Sequence, residues 1–324
     1  MAADHQLIIT SGANKGKLRK TKKQYDWSAY GYLSPAIISI IALSLAPMLY
    51  TVYISFTNWN AMHFMSYQYV GIQNYLSLFN PSDPLSIVFI PTFIWTLVFA
   101  FLTTVINYLF GLLLAVILNN KNIKEAGLYR SLLIIPWAVP GLISILSWQG
   151  LLNQSYGQIN ALLHIFGIAQ IPWLVDPFWA RVSVLIVNLW LSYPYFMSVC
   201  TGALQSISPE LYEAASMDGA TWGQRFRYIS MPGVWRVSLP LLIPSFASSF
   251  NNFNIVYLLT TGGPARNDTQ FAGYTDLLTS AAYKMTLDYN RYDLAATISV
   301  IVFVLIGTIT LINMRATGAF KEVD

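Results

Sequence analysis

The sequence predicts an all-α membrane protein with six transmembrane helices and both termini in the cytoplasm. The chain of 324 residues is 55% hydrophobic and only 10% charged, a composition typical of proteins that cross a bilayer several times. Six apolar stretches are each long enough to span a membrane, which takes about 20 residues. These spans lie near residues 31–56, 91–118, 131–151, 179–204, 237–259 and 294–313.

The distribution of basic residues orients the chain. Fourteen of the 18 Lys and Arg residues lie on the side that holds both termini. The other side holds Arg181, Arg266, Lys284 and Arg291. We therefore expect a basic cytoplasmic tail over 1–28, a transmembrane domain over 29–316 and a second cytoplasmic tail over 317–324. Residues 1–28 are read as an orientation signal attracted to anionic lipid rather than as a cleaved signal peptide.

Few residue types that perform chemistry are placed where they could act together. Cys200 is the only cysteine and lies within a span, and His5, His63 and His164 have no metal-ligand spacing. The segment that begins at Gly12 lacks the spacing and the closing Ser or Thr of a phosphate loop. The sequence therefore predicts no metal, no cofactor and no nucleotide in this chain, and it argues against a membrane-embedded enzyme.

The connection 208–232, on the predicted cytoplasmic side, is too elaborate for a simple link between spans. Ser208 is a good N-cap and is followed by Pro209 at a first helical position. Gly219 is placed to end that helix, and Thr221 begins a second one with a capping box. Pro232 is predicted to stop the second helix. The pattern favours a helix-turn-helix that docks on a partner, although an interfacial helix joining two spans is the alternative.

Six positions of this loop resemble the signature of the membrane subunits of ATP-driven (ABC) importers fed by solute-binding proteins. They are Glu213, Ala214, Ala215, Gly219, Ile229 and Pro232. Met231 departs from the usual Leu. The resemblance implies that the loop is the coupling helix, seated in a cleft of the ATPase subunit and anchored by Glu213.

The same resemblance implies the type I importer permease fold and a set of partners. These are a second permease subunit, a dimer of ATP-binding subunits that hold ATP and Mg, and an extracellular solute-binding protein. It implies no nucleic acid, and it places the chain in the bacterial cytoplasmic membrane.

A polar run, residues 248–254, lies deep in the fifth predicted span. Amide side chains in hydrocarbon are costly unless they face protein or water. Ser245, Ser249 and Asn252 are spaced to share one helical face, beside a stripe formed by Phe246 and its neighbours Phe250 and Phe253. Neutral hydrogen-bonding groups beside aromatic rings suit a sugar, and hydrogen bonding between helices is the alternative. Prolines in 135–141 and 190–195 predict kinked spans, which are tolerated where they line a cavity.

Several stretches between about 90 and 316 resemble the first of the two membrane subunits of maltose/maltodextrin importers. They include 136–140, 191–195, 203–219, 245–264 and 272–278. Carried over by residue, the resemblance implies sugar contacts at Trp137, Gly141, Leu191, Ser192, Tyr195, Ser245, Ser249 and Asn252. Four of these depart from the residue types expected there: Trp137 for Tyr, Gly141 for Ser, Ser192 for Gly and Ser249 for Asn. The sequence also lacks a large domain between early spans.

The resulting prediction is a pore-forming subunit that imports a neutral oligosaccharide. Importers of other neutral sugars remain an alternative. An ion-coupled secondary carrier is disfavoured because such carriers usually keep charged residues within their spans, and here only Arg181 lies at the edge of one.

Overall fold

A computed structural model describes residues 27–120, 122–268 and 271–316 of the chain. The predicted tails therefore lie outside the described residues, apart from 27 and 28. The chain divides into two compact units, residues 1–48 and 49–324. The first unit is helical wherever it is described.

The structure is almost entirely helical, and its described residues form no β-strand, only an isolated bridge between Thr57 and Tyr69. Five-residue π-helical stretches lie at Ile41–Leu45 and Phe226–Ser230. The helices are α1 (Trp27–Ile40), α2 (Ala46–Ile54), α3 (Gln73–Phe79), α4 (Pro84–Leu118), α5 (Ala126–Leu133), α6 (Ile135–Ala138), α7 (Gly141–Leu151), α8 (Gln158–Ile165), α9 (Pro177–Gln205), α10 (Pro209–Met217), α11 (Trp222–Arg225), α12 (Met231–Phe250), α13 (Phe253–Thr260), α14 (Leu278–Leu287) and α15 (Tyr292–Ala316).

Four helical segments of the described chain are long and apolar enough to cross a membrane: Tyr30–Ile54, Leu85–Leu118, Pro177–Gln205 and Tyr292–Arg315. The predicted third span is bent by 92° between Ala126–Ala138 and Gly141–Leu151, and counting it gives five. The predicted fifth span corresponds to α12 and α13, which are separated by a break. The count of six spans therefore stays a prediction.

Helices α4, α9 and α12 form the centre of the second unit. Gly111 of α4 lies so close to α9 that a Cβ built on it would come within 2.7 Å of the Met197 amide nitrogen and of the Phe196 Cβ. Only a glycine permits this helix approach without displacing backbone. One core cluster around Tyr108 and Cys200 joins α4 to α9 and, through Val234, to α12.

A buried charge organises the segment between α13 and α14. The Asp276 carboxylate is fully buried and accepts hydrogen bonds of 2.7 Å from the Gly273 amide, the Ser280 hydroxyl and the Lys284 ammonium. Arg181 of α9 lies 4.4 Å from the centre of the Trp95 ring and donates a hydrogen bond to a carbonyl of the same segment. The segment is thus fixed both by its own carboxylate and by the central helices.

Candidate functional site

A cavity of about 210 Å³ lies where α4, α6, α9 and α12 meet. Its walls are made of neutral polar side chains and aromatic rings, with one aliphatic residue. The lining residues are Thr104, Asn107, Trp137, Asn188, Leu191, Ser192, Tyr195, Phe196, Ser245, Ser248, Ser249 and Asn252. None of them is Asp, Glu, Lys, Arg or His. The cavity therefore suits a solute without net charge, since a charged ligand in an apolar bundle would need an opposite charge.

Seven of the eight residues predicted to contact substrate line this one cavity. They come from three separate stretches of sequence: Trp137 from α6, Leu191, Ser192 and Tyr195 from α9, and Ser245, Ser249 and Asn252 from α12 and the break after it. Gly141 is the exception. It is the first residue of α7, it is exposed, and a Cβ built on it would meet nothing within 4 Å.

The serine hydroxyls of α12 donate within their own helix. Ser245 Oγ donates to the Leu241 carbonyl at 2.8 Å, and Ser249 Oγ donates to the Ser245 carbonyl at 3.0 Å. The Thr103 hydroxyl lies 3.2 Å from Ser249 Oγ. Because the Ser245 and Ser249 hydroxyls each donate their hydrogen to a carbonyl, their oxygens keep lone pairs that can accept a hydrogen bond from a ligand hydroxyl.

The expectation that Asn252 continues the helical face of Ser245 and Ser249 is wrong. Helix α12 ends at Phe250, and the amides of Asn251 and Asn252 bond to the carbonyls of Ser248 and Ser249 at 3.0 and 3.3 Å in a tight turn. Asn252 then has φ −79° and ψ 59°, outside the helical region. The turn nevertheless places Asn252 in the lining of the cavity, and its side-chain amide forms no hydrogen bond within the described chain.

The aromatic part of the cavity also differs from the expectation. Phe250 is fully buried against Phe246, and Phe253 packs on Tyr257 and Tyr283, so this stripe does not line the cavity. The rings that do line it are Trp137, Tyr195 and Phe196.

The Trp137 ring lies 6.0 Å from the Tyr195 ring at an interplanar angle of 43°, and Trp137 is 52% exposed. An exposed ring face of this kind is a suitable platform for the C–H face of a sugar.

Five lining residues were not among the predicted sugar contacts: Thr104, Asn107, Asn188, Phe196 and Ser248, although Ser248 belongs to the predicted polar run. Two of them, Thr104 and Asn107, lie on α4. Asn107 and Asn188 are single amides in apolar spans, the same signal that identified the polar run near 250. Applied along every span, it would have found both.

The predicted docking loop is a hairpin of two short helices. Ser208 Oγ accepts a hydrogen bond from the Glu210 amide, and Thr221 forms a capping box with Gln224. Gly219 has φ +75°, and the amides of Gly219 and Ala220 bond to the carbonyls of Ser216 and Ala215. This is a Schellman ending, which requires the left-handed conformation that glycine adopts most readily.

Two side-chain bonds fix the hairpin. Arg225 Nη1 donates to Ser216 Oγ at 2.8 Å, joining α11 to α10. Tyr212 Oη and Ser230 Oγ lie 2.9 Å apart, joining α10 to the π-helical stretch. The hairpin is therefore a defined unit that can move as one body.

The prediction that Pro232 stops the second helix is wrong. The backbone continues from α11 through the π-helical stretch Phe226–Ser230 into α12, and Pro232 is the second residue of α12. Proline is tolerated in the first turn of a helix, where its missing N–H would have no partner in any case. The π-helical stretch lets a new register begin just before it.

The signature residues lie on or beside this hairpin. Glu213, Ala214 and Gly219 are exposed, and Ala215 and Ile229 are half-buried. The Glu213 carboxylate forms no hydrogen bond or ion pair within the described chain, so it is available to a partner. The hairpin also carries exposed apolar side chains, among them Met217, which is 89% exposed, and Trp222, which is 65% exposed.

Comparisons with known proteins agree on a family. A model of the family described as "Binding-protein-dependent transport system inner membrane component" matches residues 107–317. The galactooligosaccharides transport system permease protein GanP of Bacillus subtilis (strain 168) is 37% identical over 314 residues, covering 94% of this chain and 75% of that protein.

The maltose/maltodextrin transport system permease protein MalF of Vibrio parahaemolyticus is 44% identical over 258 residues, covering 78% of this chain and 49% of that protein. The chain thus spans about half the length of such MalF relatives. Among solved structures, a chain of a bacterial ABC transporter that imports alginate has a TM-score of 0.72 at 23% identity. The match covers 92% of this chain and 97% of the other, and it shows a common fold.

Proposed function

Because the chain belongs to the family of binding-protein-dependent inner membrane transport components, we propose that it is the permease subunit of an ATP-driven sugar importer. The cavity between α4, α6, α9 and α12 is its substrate site. The observation that carries the proposal is the lining of this cavity, in which seven residues implied by resemblance to sugar permeases meet around one space.

The substrate in this proposal is a neutral oligosaccharide of the maltodextrin type. Sugar hydroxyls both donate and accept hydrogen bonds, and the cavity offers hydroxyl and amide groups that do the same. The Trp137 and Tyr195 rings supply an apolar surface beside them. Relatives named maltose/maltodextrin permeases at 43–44% identity favour this sugar class.

The energy for transport comes, in this proposal, from a dimer of separate ATP-binding subunits that hold ATP and Mg. The hairpin, with Glu213 exposed on α10, seats in a cleft of one of them. A second permease subunit completes the pathway, and an extracellular solute-binding protein delivers the sugar. In this arrangement the chain has six spans with both termini cytoplasmic, and closure of the ATPases moves the hairpin and exchanges access to the cavity.

Uptake of labelled maltotriose tests the proposal. Cells deleted for this chain receive the intact gene, a Glu213→Lys version or a Glu210→Lys version. Glu210 is the matched control because it is an exposed acid of the same helix outside the signature. We expect rescue by the intact gene and by Glu210→Lys, and loss of uptake in Glu213→Lys because a lysine would meet the cleft with the wrong charge.

The outcomes separate the parts of the proposal. Lack of rescue by the intact gene, with the assembly present in the membrane, would contradict maltodextrin as the substrate. Rescue by Glu213→Lys would remove Glu213 from coupling.

A galactooligosaccharide is the second candidate substrate. The relative named for it matches 94% of this chain, a larger share than the 78% of the maltodextrin permease. The same strains, tested with a labelled galactotriose, distinguish the two sugars directly, since only a transported sugar accumulates in cells that carry the intact gene.

A further inference from the structure

Two asparagines on the cavity wall face each other across the contact between α4 and α9. Asn107 of α4 is 6% exposed and Asn188 of α9 is 3% exposed. Asn107 Nδ2 donates to Asn188 Oδ1 at 2.9 Å. Neither residue belongs to the set implied by resemblance, and both line the same cavity as that set.

This pair leaves hydrogen-bonding groups unused. Asn107 Oδ1 is buried and has no partner. Asn188 Nδ2 likewise forms no hydrogen bond within the described chain. A buried amide oxygen without a donor is unfavourable, and such groups are nearly always paired in folded proteins. The pair therefore places one unpaired acceptor, which is buried, and one unpaired donor on two different helices in the wall of a polar cavity.

We propose that the Asn107–Asn188 pair binds a single hydroxyl of the transported sugar. This hydroxyl donates to Asn107 Oδ1 and accepts from Asn188 Nδ2. A hydroxyl is the smallest sugar substituent that does both at once. The assignment rests on the proposed function, and it makes the pair a specificity-determining element that the α12 serines cannot replace, because their hydrogens are already donated to carbonyls.

Other uses of the pair would leave different traces. If the two amides served only to join α4 to α9, their loss would weaken the bundle and change the transport of every sugar by the same factor. A trapped water could also satisfy Asn107 Oδ1, and then no sugar hydroxyl would depend on it. Only direct recognition links the asparagines to one particular hydroxyl.

The test is a cycle between protein and sugar variants in the complete importer reconstituted in liposomes. Transport KM is measured for maltotriose and for a set of its monodeoxy analogues, with wild type and Asn107→Leu. In wild type, removal of one hydroxyl should raise KM about fivefold, the factor of one net hydrogen bond. In Asn107→Leu, the KM for maltotriose should rise by a similar factor. The KM for that deoxy analogue should then equal the KM for maltotriose.

Thr92→Val is the matched control, because Thr92 is also a buried polar residue of α4 but does not line the cavity and donates to its own helix, to the Val88 carbonyl. It should leave unchanged the deoxy penalties, that is, the increases in KM of the monodeoxy analogues relative to maltotriose. If the importer with Asn107→Leu does not assemble, Asn188→Leu should abolish the increase in KM that removal of the same hydroxyl causes in wild type.

Deoxy penalties that are the same in the asparagine variants and in wild type would overturn the inference while leaving the proposed function standing. Absence of uptake of both maltotriose and galactotriose by wild type would overturn both.

Discussion

Replacement of Asp276 by alanine should destabilise the protein more than any change at an exposed charge. The Asp276 carboxylate is fully buried and is the shared acceptor of three donors at 2.7 Å. In Asp276→Ala the Lys284 ammonium, whose side chain is only 16% exposed, loses its counter-charge. The Gly273 amide and the Ser280 hydroxyl lose their acceptor at the same time.

The expected cost follows from these partners. Breaking a buried ion pair by removing one member costs about 3–5 kcal/mol, because the remaining charge is left uncompensated. For 324 residues, an unfolding entropy of about 2.1 cal/mol/K per residue converts this cost into a fall of about 4–7 °C in the unfolding temperature. Asp276→Asn should cost less, since the amide oxygen still accepts one hydrogen bond.

The single cysteine provides the assay. Cys200 is fully buried in the core between α4 and α9 and is the only thiol in the chain. A fluorogenic maleimide therefore reacts only when the central helices open, and a temperature ramp in detergent gives the unfolding temperature.

Asp288→Asn is the control. Asp288 is an exposed acid at the end of α14, and its carboxylate forms no ion pair within the described chain. Substitutions at exposed positions of this kind change stability little, so we expect almost no shift. An unfolding temperature of Asp276→Ala within about 1 °C of wild type would refute the reasoning, because the predicted fall is about 4–7 °C.

Three further predictions test the cavity, the hairpin and the helix contact. Trp137→Ala should raise the transport KM for maltotriose about tenfold, since the ring platform contributes about 1.5 kcal/mol, whereas Leu142→Ala, at an exposed residue of α7 that does not line the cavity, should not. Gly219→Ala should lower sugar-stimulated ATP hydrolysis with the membrane level unchanged, because φ +75° strains any side chain by about 1 kcal/mol. Gly111→Ala should lower the temperature of Cys200 labelling, since its Cβ would overlap the backbone of α9 and overpacking costs about 1–3 kcal/mol.

The features that the sequence predicted correctly are those decided within one or two helical turns. The capping bonds of Ser208 and Thr221 and the left-handed turn at Gly219 involve residues two to five positions apart, so local pattern is enough to place them. The bend at 135–141 is similar, because prolines remove backbone donors wherever the helix lies.

The features that the sequence did not predict depend on contacts between distant segments. Helix α13 packs on α7, where the Gln149 side chain donates to the Leu259 carbonyl, and this contact accompanies the break at 251–252. No pattern within residues 245–259 could show this contact with Gln149. The sequence marks Asn107 as a single amide in the apolar helix α4, but it cannot show that α9 brings Asn188 to within 2.9 Å of it.

In the proposed function, the position of the hairpin along the chain would connect the cavity to the ATP-binding subunits. The hairpin is the connection between α9 and α12, which together provide eight of the twelve lining residues. It is joined to α12 by continuous helical backbone and closed on itself by the Tyr212–Ser230 contact. A displacement of the hairpin as one body must therefore move the ends of both helices together. In the proposed function, this connection would couple movement of the hairpin to a change in access to the cavity.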